Sequence, residues 1–290
     1  MNLRAIRSIL VTVVLSLASV AAPAADFVIY TQNLLHFGQG SAAKTKAKCD
    51  AIEAAGRTVD VILLQEVMQK QYPCASVPAG FVWESYGPLG STIYKEFYGF
   101  LWRVTPRTDG PTITDGGYYA EAAASKFSRP PRAIFLKVAP HGRTTSYNVW
   151  IGNIHTIFGT KVSDRQKEAT ATATFFSSLK DEAAGDVSAP SGGFPVIIGG
   201  DWNLAAKSQS GKLNSGFEAL VAAGAGIEPN VLTSLNSKAQ RSSAYDHFSF
   251  SVEHVTLSNV EVHPAGSNEW KSWRQSVSDH LGVTAEVTFH

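Results

Sequence analysis

Polar side chains of the kinds that bind hard metal ions or transfer protons recur at the ends of apolar segments in this chain. They are Asn33, Glu66, His155, the pair Asp201 and Asn203, the pair Asp246 and His247, and the pair Asp279 and His280. Carboxylates and amides provide the oxygen ligands that a hard divalent ion such as Mg²⁺ requires. A histidine beside a carboxylate can take up or release a proton near neutral pH. The residue types therefore predict one site where a metal ion and proton transfer act together.

The segment "PVIIGGDWNLAA", residues 195–206, shows how such a site is presented. A short apolar run leads through two glycines to Asp201, Trp202 and Asn203. Alternate side chains of an extended strand share a face, so Asp201 and Asn203 could point one way and Trp202 the other. The glycines would let backbone or ligand approach closely. The alternative is an ordinary strand followed by an Asx turn.

Two carboxylates are candidates for the metal. Glu66 closes the apolar run "VILLQE", where an unpaired buried charge is costly, so its side chain either reaches solvent or meets a cation. The partner of His280 must come from another segment, because the adjacent Asp279 points the other way in extended chain. Asp246 is the candidate partner, which leaves Asp279 for the metal. The alternative is that Asp279 and His280 are exposed turn residues.

The other histidines have weaker cases. His155 ends the segment "IGNIHT", and a lone strand histidine is structural unless a carboxylate meets it. The remaining histidines are expected on the surface or in loops: His36, His141, His254, His263 and His290. Trp150 and Trp202 are expected in the core.

Buried strands and amphipathic helices alternate along the chain. Strands are predicted over residues 26–33, 59–67, 96–104, 132–139, 147–156, the run that ends at Asp201, 245–252 and 278–289. Helices are predicted over residues 41–55, with Ser41 as N-cap and Gly56 as stop, and over residues 162–183. The order strand, helix, strand occurs twice, which suggests a pseudo-repeat. This alternation predicts sheets inside and helices outside, with a site at the strand ends.

Residues 1–25 have the pattern of a secretory signal peptide. Arg4 and Arg7 precede an apolar stretch over residues 9–20, and small residues follow near Ala24 and Ala25. The stretch is shorter than the ~20 residues of a membrane span, and no later segment is long and apolar enough. We expect a secreted or periplasmic protein whose residues 26–290 form one domain without a membrane span. A retained N-terminal anchor is the alternative.

The net charge and the cysteine content narrow the range of functions that the protein could have. Of 25 basic residues, 23 remain when Arg4 and Arg7 are removed, against 24 acidic residues, a net charge of about −1. This balance argues against a general electrostatic binder of nucleic acid, but it permits a local phosphate site built by a few arginines and a metal. Cys49 and Cys74 could pair in an oxidising compartment, and no cysteine or histidine spacing indicates zinc.

A series of short motifs resembles the endonuclease/exonuclease/phosphatase superfamily, and most closely its deoxyribonuclease I branch. In chain order they are "TQN", "LLQEV", "YKEFYGFLWR", "FSRPP", "NIHT", "IGGDWN", "AYDH" and "SDHLGV". "GDWN" and "SDH" are shared across the superfamily, whereas "GPLGSTIYKEFYGFLWR" followed by "FSRPP" resembles deoxyribonucleases more specifically. The resemblance covers essentially all of residues 26–290. It implies an α+β fold, a four-layer α/β/β/α sandwich in which two packed mixed β-sheets are flanked by helices.

The resemblance also implies metal and phosphate ligands. The implied metal ligands are Glu66 as principal ligand, with Asn33, Asp279 and Asp201. Asp201 and Asn203 would hold the scissile phosphate and the attacking water. The implied ion is Mg²⁺ or Mn²⁺, with Ca²⁺ a third candidate. The family's structural calcium sites are not implied, because the short disulfide before "FSR" is missing.

Proton transfer and substrate contacts are implied as well. His155 would pair with Glu96, and His280 with Asp246. His280 would act as base and His155 as acid, or the reverse. Arg129 would contact phosphate, and Tyr94 would contact the DNA sugar or backbone.

Three departures from deoxyribonuclease I concern the substrate. Leu35 and Met68 stand where that enzyme has arginines that reach the minor groove, and His247 replaces an arginine. These differences leave the affinity for duplex and the groove preference open.

The resemblance implies that the protein is a secreted, metal-dependent endonuclease that hydrolyses DNA as a monomer. A related possibility is a nuclease subunit of a toxin type that works with partner chains. One alternative is a sphingomyelinase-like phospholipase or a phosphoinositide or sugar-phosphate phosphatase on the same scaffold, with Trp270 and Trp273 an unplaced aromatic pair. The other is an exported binding module that kept the scaffold without activity. It is disfavoured because both histidine–carboxylate pairs are complete in the sequence.

Overall fold

The computed structural model describes residues 25–90, 95–208 and 210–290. Its strands are β1 (Phe27–Phe37), β2 (Val61–Val67), β3 (Phe81–Leu89), β4 (Glu96–Arg103), β5 (Thr112–Glu121), β6 (Arg132–Ala139), β7 (Tyr147–His155), β8 (Val196–Asp201), β9 (Ala225–Glu228), β10 (Ser234–Leu235), β11 (Arg241–Ser243), β12 (Asp246–Ser251), β13 (Val255–His263) and β14 (Gly282–Phe289). Its helices are α1 (Ala42–Ala55), α2 (Val162–Asp181), α3 (Ser215–Ala222) and α4 (Trp270–Ser276), with a 3₁₀ turn at Ala124–Lys126. The predicted signal peptide lies outside the described residues, apart from Ala25.

Two six-stranded sheets form the centre of the molecule. The first sheet has the order β13-β14-β1-β2-β4-β3, and the second has the order β5-β6-β7-β8-β12-β9. Each contains one parallel pair, β1 with β2 and β7 with β8, and its other pairs are antiparallel. In both parallel pairs a helix connects the two strands, so the repeated strand–helix–strand order in the sequence corresponds to equivalent units of the two sheets.

Alternation along the inner strands distributes their side chains between two cores. In β2, Leu63 lies in the core between the sheets, whereas Ile62 and Leu64 pack on the side of α1. In β8, Ile197 faces the other sheet, whereas Ile198 packs with the cluster around α2 and α3. Strands buried on both faces read as continuous apolar runs. The mixed sheets and outer helices confirm the predicted α+β four-layer sandwich.

The first helix illustrates how local sequence sets an element. Ser41 accepts a hydrogen bond from the Lys44 backbone N–H and caps α1, and the helix ends before Gly56, as predicted. A disulfide bond joins Cys49 of α1 to Cys74 in the segment that follows β2. The pairing that the sequence left open is therefore present, and it fixes that segment to α1.

One predicted strand differs from the structure at its start. Residues 278–289 were expected to be extended, but β14 begins only at Gly282. Ser278 accepts a hydrogen bond from the His280 backbone N–H at 3.1 Å, which bends the chain there. Asp279 and His280 therefore precede a strand and Asp246 opens one, β12. Glu66, His155 and Asp201 lie at or next to the ends of β2, β7 and β8. None of the helices in the described residues is long and apolar enough to cross a membrane.

Candidate active site

The predicted polar side chains converge on one cleft where the strand ends of the two sheets meet. The cleft has a volume of about 360 Å³. Its lining comprises Leu35, His36, Glu66, Met68, Glu96, Arg129, His155, Phe158, Asp201, Asn203, Asp279 and His280. Asn33 and Asp246 lie buried behind this lining and bond to its members. Tyr94, the predicted sugar or backbone contact, lies outside the described residues.

The first histidine–carboxylate pair joins β7 to β4. His155 is the last residue of β7, and its Nδ1 lies 2.7 Å from Oε1 of Glu96, the first residue of β4. Burial lowers the pKa of His155, but the charge of Glu96, its hydrogen bond to the ring and the charge of Asp201 together outweigh it, so the pKa is raised. The same pairing holds the pKa of the buried Glu96 below its usual value despite desolvation. The pairing directs Nε2 of His155 away from Glu96 and toward Asp201.

The second pair joins the segment before β14 to β12. His280 Nδ1 lies 2.9 Å from Oδ2 and 3.1 Å from Oδ1 of Asp246, the first residue of β12. Burial lowers the pKa of His280, but the charges of Asp246 and Asp201 raise it well above its ordinary value. Asp246 is itself fixed, because its backbone N–H donates to Thr233 Oγ1 at 3.0 Å.

Asp201 connects the two pairs. Its Oδ2 lies 3.6 Å from Nε2 of His155 and 3.5 Å from Nε2 of His280. Because both nitrogens approach one oxygen, they lie within about 7 Å of each other. That spacing lets both imidazoles address one bound ester from different sides.

Asn33 holds two of the carboxylates together. Its Nδ2 donates to Oε1 of Glu66 and to Oδ2 of Asp201, both at 3.0 Å, and its Oδ1 accepts from the Leu35 backbone N–H at 2.9 Å. The His36 backbone N–H donates to the other oxygen of Glu66 at 3.1 Å. Glu66 itself has φ of 55°, a left-handed conformation that costs about 1–3 kcal/mol in a residue other than glycine. The backbone at this position is therefore strained at the point where the carboxylate enters the cleft.

The donor set fits a hard divalent ion. Glu66, Asp201 and Asp279 place carboxylates on one cleft, and Mg²⁺ binds through one or two carboxylates while keeping several waters. Ligand atoms of Asp201, Asp246 and His280 also lie within 4.8 Å of one another. Since both oxygens of Asp246 face Nδ1 of His280, we interpret that group as an acid–base pair, and Glu66 as the centre of the metal site.

The segment around Asp201 satisfies both interpretations of its sequence. The Asn203 backbone N–H donates to Oδ1 of Asp201 at 2.8 Å, which is an Asx turn, yet both residues line the cleft. Asn203 has φ of 46°, and its Nδ2 donates to the Thr156 carbonyl at 3.1 Å. Gly200 has φ of 153°, and a Cβ there would lie 1.9 Å from the Ile154 carbonyl oxygen. Trp202 is fully buried in the core, as predicted, and Trp150 is nearly so.

Arg129 is held at the wall of the cleft. Its Nε donates to the His155 carbonyl at 3.0 Å and its Nη2 donates to the Thr156 carbonyl at 2.6 Å. Its Nε also lies 3.6 Å from Oε1 of Glu96. A guanidinium group carries five N–H donors, so donors remain for a bound phosphate.

His247 lies outside the cleft, whereas His36 is one of its lining residues. His247, grouped with the site by sequence, is fully buried, and its ring nitrogens face the carbonyls of Pro229 and Leu204 at 2.7 and 3.1 Å. Alternation along β12 explains this, because Asp246 and His247 point to opposite faces. His36 is exposed, as expected of a surface residue, and it also lines the cleft, with Nε2 3.5 Å from Oε2 of Glu66.

Other supporting residues had no sequence signal. Tyr98 accepts from the His155 backbone N–H at 2.9 Å and donates to the Arg129 carbonyl at 3.2 Å. Lys48 donates to the Leu35 carbonyl, and burial lowers its pKa to about 8. Each acts through backbone atoms of a distant segment, which no local sequence pattern marks.

No family model and no curated protein matches the sequence. Solved structures do match. The human Nocturnin catalytic domain is 13% identical, with a TM-score of 0.57, and the match covers 91% of this chain and 94% of that one. An endonuclease/exonuclease/phosphatase family protein from Bacteroides thetaiotaomicron is 14% identical, with a TM-score of 0.55 and coverage of 91% and 95%. ANGEL2, a 2',3'-cyclic phosphatase, is 14% identical, with a TM-score of 0.56 and coverage of 90% and 95%.

These likenesses extend over nearly the whole of each compared chain. The protein has the endonuclease/exonuclease/phosphatase fold, and the resemblance drawn from its motifs is confirmed at the level of the fold.

Proposed function

We propose that this protein is a metal-dependent phosphodiesterase, and specifically a deoxyribonuclease I-like endonuclease. The observation that carries the proposal is the shared Asp201, with an imidazole from each histidine–carboxylate pair within 3.6 Å of one oxygen beside a carboxylate-lined cleft. This arrangement holds the two proton-transfer groups and the metal ligands that hydrolysis of a phosphodiester needs. A binding module would have no use for two buried histidine–carboxylate pairs.

The proposed reaction divides the work among the residues of the cleft. A divalent ion held by Glu66 with Asp279 and Asp201 would neutralise and polarise the phosphate. Arg129 and Asn203 would donate hydrogen bonds to phosphoryl oxygens as charge develops there. One histidine takes a proton from the attacking water, and the other gives a proton to the departing oxygen, each typically worth about 10²–10⁴ in rate.

Two assignments of the histidines follow. In the first, His280 is the base and His155 is the acid. One observation supports the reverse assignment: the charges of Asp246 and Asp201, acting against burial, raise the pKa of His280 well above its ordinary value, so the ring holds the proton that a general acid must give up. In either case Glu96 and Asp246 orient the rings through Nδ1 and leave Nε2 for the substrate.

Two neighbours support phosphate esters as the substrate class. ANGEL2 was solved with adenosine-2',3'-vanadate, a nucleoside ligand. A Bacteroides thetaiotaomicron structure with a TM-score of 0.57 and 13% identity is named a mannosyl-6-phosphatase, which favours a sugar-phosphate phosphatase as the second candidate. A sphingomyelinase-like phospholipase remains the third.

The test is incubation of the protein with supercoiled plasmid, with mannose 6-phosphate and with sphingomyelin, in Mg²⁺ with and without EDTA. We expect plasmid nicking that EDTA abolishes. His155→Ala and His280→Ala should each lower nicking by about 10² or more. His141→Ala, at a ring that is 60% exposed and outside the cleft, should have no effect. Release of phosphate from the sugar or choline phosphate from the lipid, without nicking, would contradict the nuclease proposal.

We also propose that the protein is exported, with residues 1–25 removed. The disulfide between Cys49 and Cys74 supports this, because such bonds persist in oxidising compartments. N-terminal sequencing of the mature protein from periplasm and medium tests it, and an intact N-terminus in the cytosolic fraction would contradict it.

A further inference from the structure

Phe158 exposes an aromatic ring in the catalytic cleft. It follows His155 by three residues and lines the cleft with His155, Arg129 and Asn203. Its exposed fraction is 74%, the highest among the exposed large hydrophobic side chains of the described residues. An apolar ring left in water beside reactive groups is the kind of surface that a ligand covers.

The loop that carries Phe158 is fixed at its base. Glu168 accepts a hydrogen bond from the Ile157 backbone N–H at 2.7 Å and from the Ser128 N–H at 2.6 Å. Arg129 and Asn203 both donate to the Thr156 carbonyl. The backbone on the N-terminal side of Phe158 is therefore tied to the cleft wall, while the ring itself stands in solvent. The backbone that carries the ring is thus positioned before any ligand binds.

The charge of the cleft favours a single strand over a duplex as the better substrate. Arg129 is the one lysine or arginine among the described lining residues, and two of its donors are committed to backbone carbonyls. Leu35 and Met68, which also line the cleft, are apolar and provide no positive charge for phosphates. Tight duplex binding requires many lysine and arginine contacts to phosphates. Single strands are held instead by stacking of unpaired bases on aromatic side chains.

We propose that Phe158 stacks on an unpaired nucleobase next to the scissile phosphate, so that the enzyme cuts single strands in preference to duplex. This proposal rests on the nuclease function proposed above. Within that function, Phe158 contacts the substrate and sets its strandedness, while the histidines and the metal perform the reaction.

The test compares kcat/KM for three substrates in Mg²⁺: a twelve-residue thymidine strand, the same backbone with every base replaced by an abasic tetrahydrofuran, and the thymidine strand paired with its complement. Uniform strands make every phosphodiester equivalent, so cleavage cannot move to an unmodified position. The variants are Phe158→Ala, Phe158→Trp and, as a matched control, Val162→Ala, an apolar residue that is 45% exposed and outside the cleft lining.

We expect Phe158→Ala to lower kcat/KM on the thymidine strand by about tenfold or more, the effect of losing one stacked base. The abasic strand and the duplex should be cut equally by the wild type and Phe158→Ala. Phe158→Trp should restore cleavage of the thymidine strand, and Val162→Ala should match the wild type on all substrates.

Equal losses on the thymidine and abasic strands, or no loss on either, would overturn the stacking proposal while leaving the nuclease function intact. A wild type that cuts none of the strands would overturn both. A wild type that cuts the duplex as fast as the thymidine strand would also overturn the proposal.

Discussion

Three side chains approach a single oxygen of Asp201, and this convergence marks the centre of the candidate active site. Asn33 donates to Oδ2 at 3.0 Å, and the two imidazoles lie within 3.6 Å of it. Asp201 is almost fully buried, so its charge acts on both histidines with little screening by water. The same carboxylate therefore influences the proposed acid, the proposed base and the proposed metal site.

The pH profile tests the role of Asp246. Because the charges of Asp246 and Asp201 outweigh burial, the pKa of His280 is raised, so a basic role for His280 requires a pH above that raised value. With His280 as the base, the acid limb of kcat/KM should therefore lie above the ordinary histidine value of 6.5. Asp246→Asn removes the negative charge that raises the pKa of His280, so the acid limb should move to lower pH. The maximal kcat/KM should fall by about 10² or more.

Measuring kcat/KM between pH 5 and 10 for the wild type, Asp246→Asn and the exposed control Asp50→Asn distinguishes the two assignments. If His280 is the acid, the limb that moves in Asp246→Asn is the alkaline one. A profile that moves on neither limb would remove Asp246 from the mechanism.

At the scale of elements, the strands that sequence predicts are the inner ones. All eight inner strands were predicted, because burial on both faces gives the apolar runs of β2 and β8. The four edge strands, β13, β3, β5 and β9, were not assigned. Strands β5 and β13 leave many residues exposed, which weakens the apolar pattern that sequence analysis depends on.

The same reasoning applies to the site. Residues at the ends of inner strands, such as Glu66, His155 and Asp201, were identified because an apolar run points to them. Phe158 and His36 were missed as cleft residues, since neither residue type nor spacing distinguishes them from ordinary loop positions. Their place depends on contacts between distant segments.

Asp60 links three elements, and its replacement should be costly. It is fully buried before β2, accepts two hydrogen bonds at 2.9 Å from Arg107, and accepts another at 2.9 Å from the Val28 backbone N–H. Asp60→Ala leaves the guanidinium and the N–H without their partner, so we expect the free energy of unfolding to fall by about 3–5 kcal/mol. Urea denaturation measures this.

Asp50→Ala provides the comparison, because the ion pair of Asp50 with Lys46 is largely exposed. It should change the free energy of unfolding by no more than about 0.5 kcal/mol. Equal, small effects at both positions would mean that the Asp60 contacts contribute little to folding.

At the scale of the whole molecule, each histidine–carboxylate pair spans the two sheets. Glu96 belongs to the first sheet and its partner His155 to the second, whereas Asp246 belongs to the second sheet and His280 leads into the first. Further links cross between the sheets, among them Asn33 to Asp201, and Gln65 to Asn153 at 2.7 Å. The site is thus built by sheet packing.

The disulfide contributes to the stability of the molecule without entering the cleft. It closes a segment with a sequence separation of 25, so the double variant Cys49→Ser/Cys74→Ser should lose about 3 kcal/mol of unfolding free energy. Urea denaturation with and without reductant measures this, and the variant should not respond to reductant. A wild type that is equally stable when reduced would contradict the expectation.

Because the partners in both pairs arrive from opposite sheets, neither sheet alone holds a working set of groups. A chain that has formed its strands and helices but has not brought its halves together would register in circular dichroism and remain silent in an activity assay. Turnover by the proposed reaction during refolding would therefore time the closure of the central interface, because a nascent molecule lacks the complete set of groups until that last step.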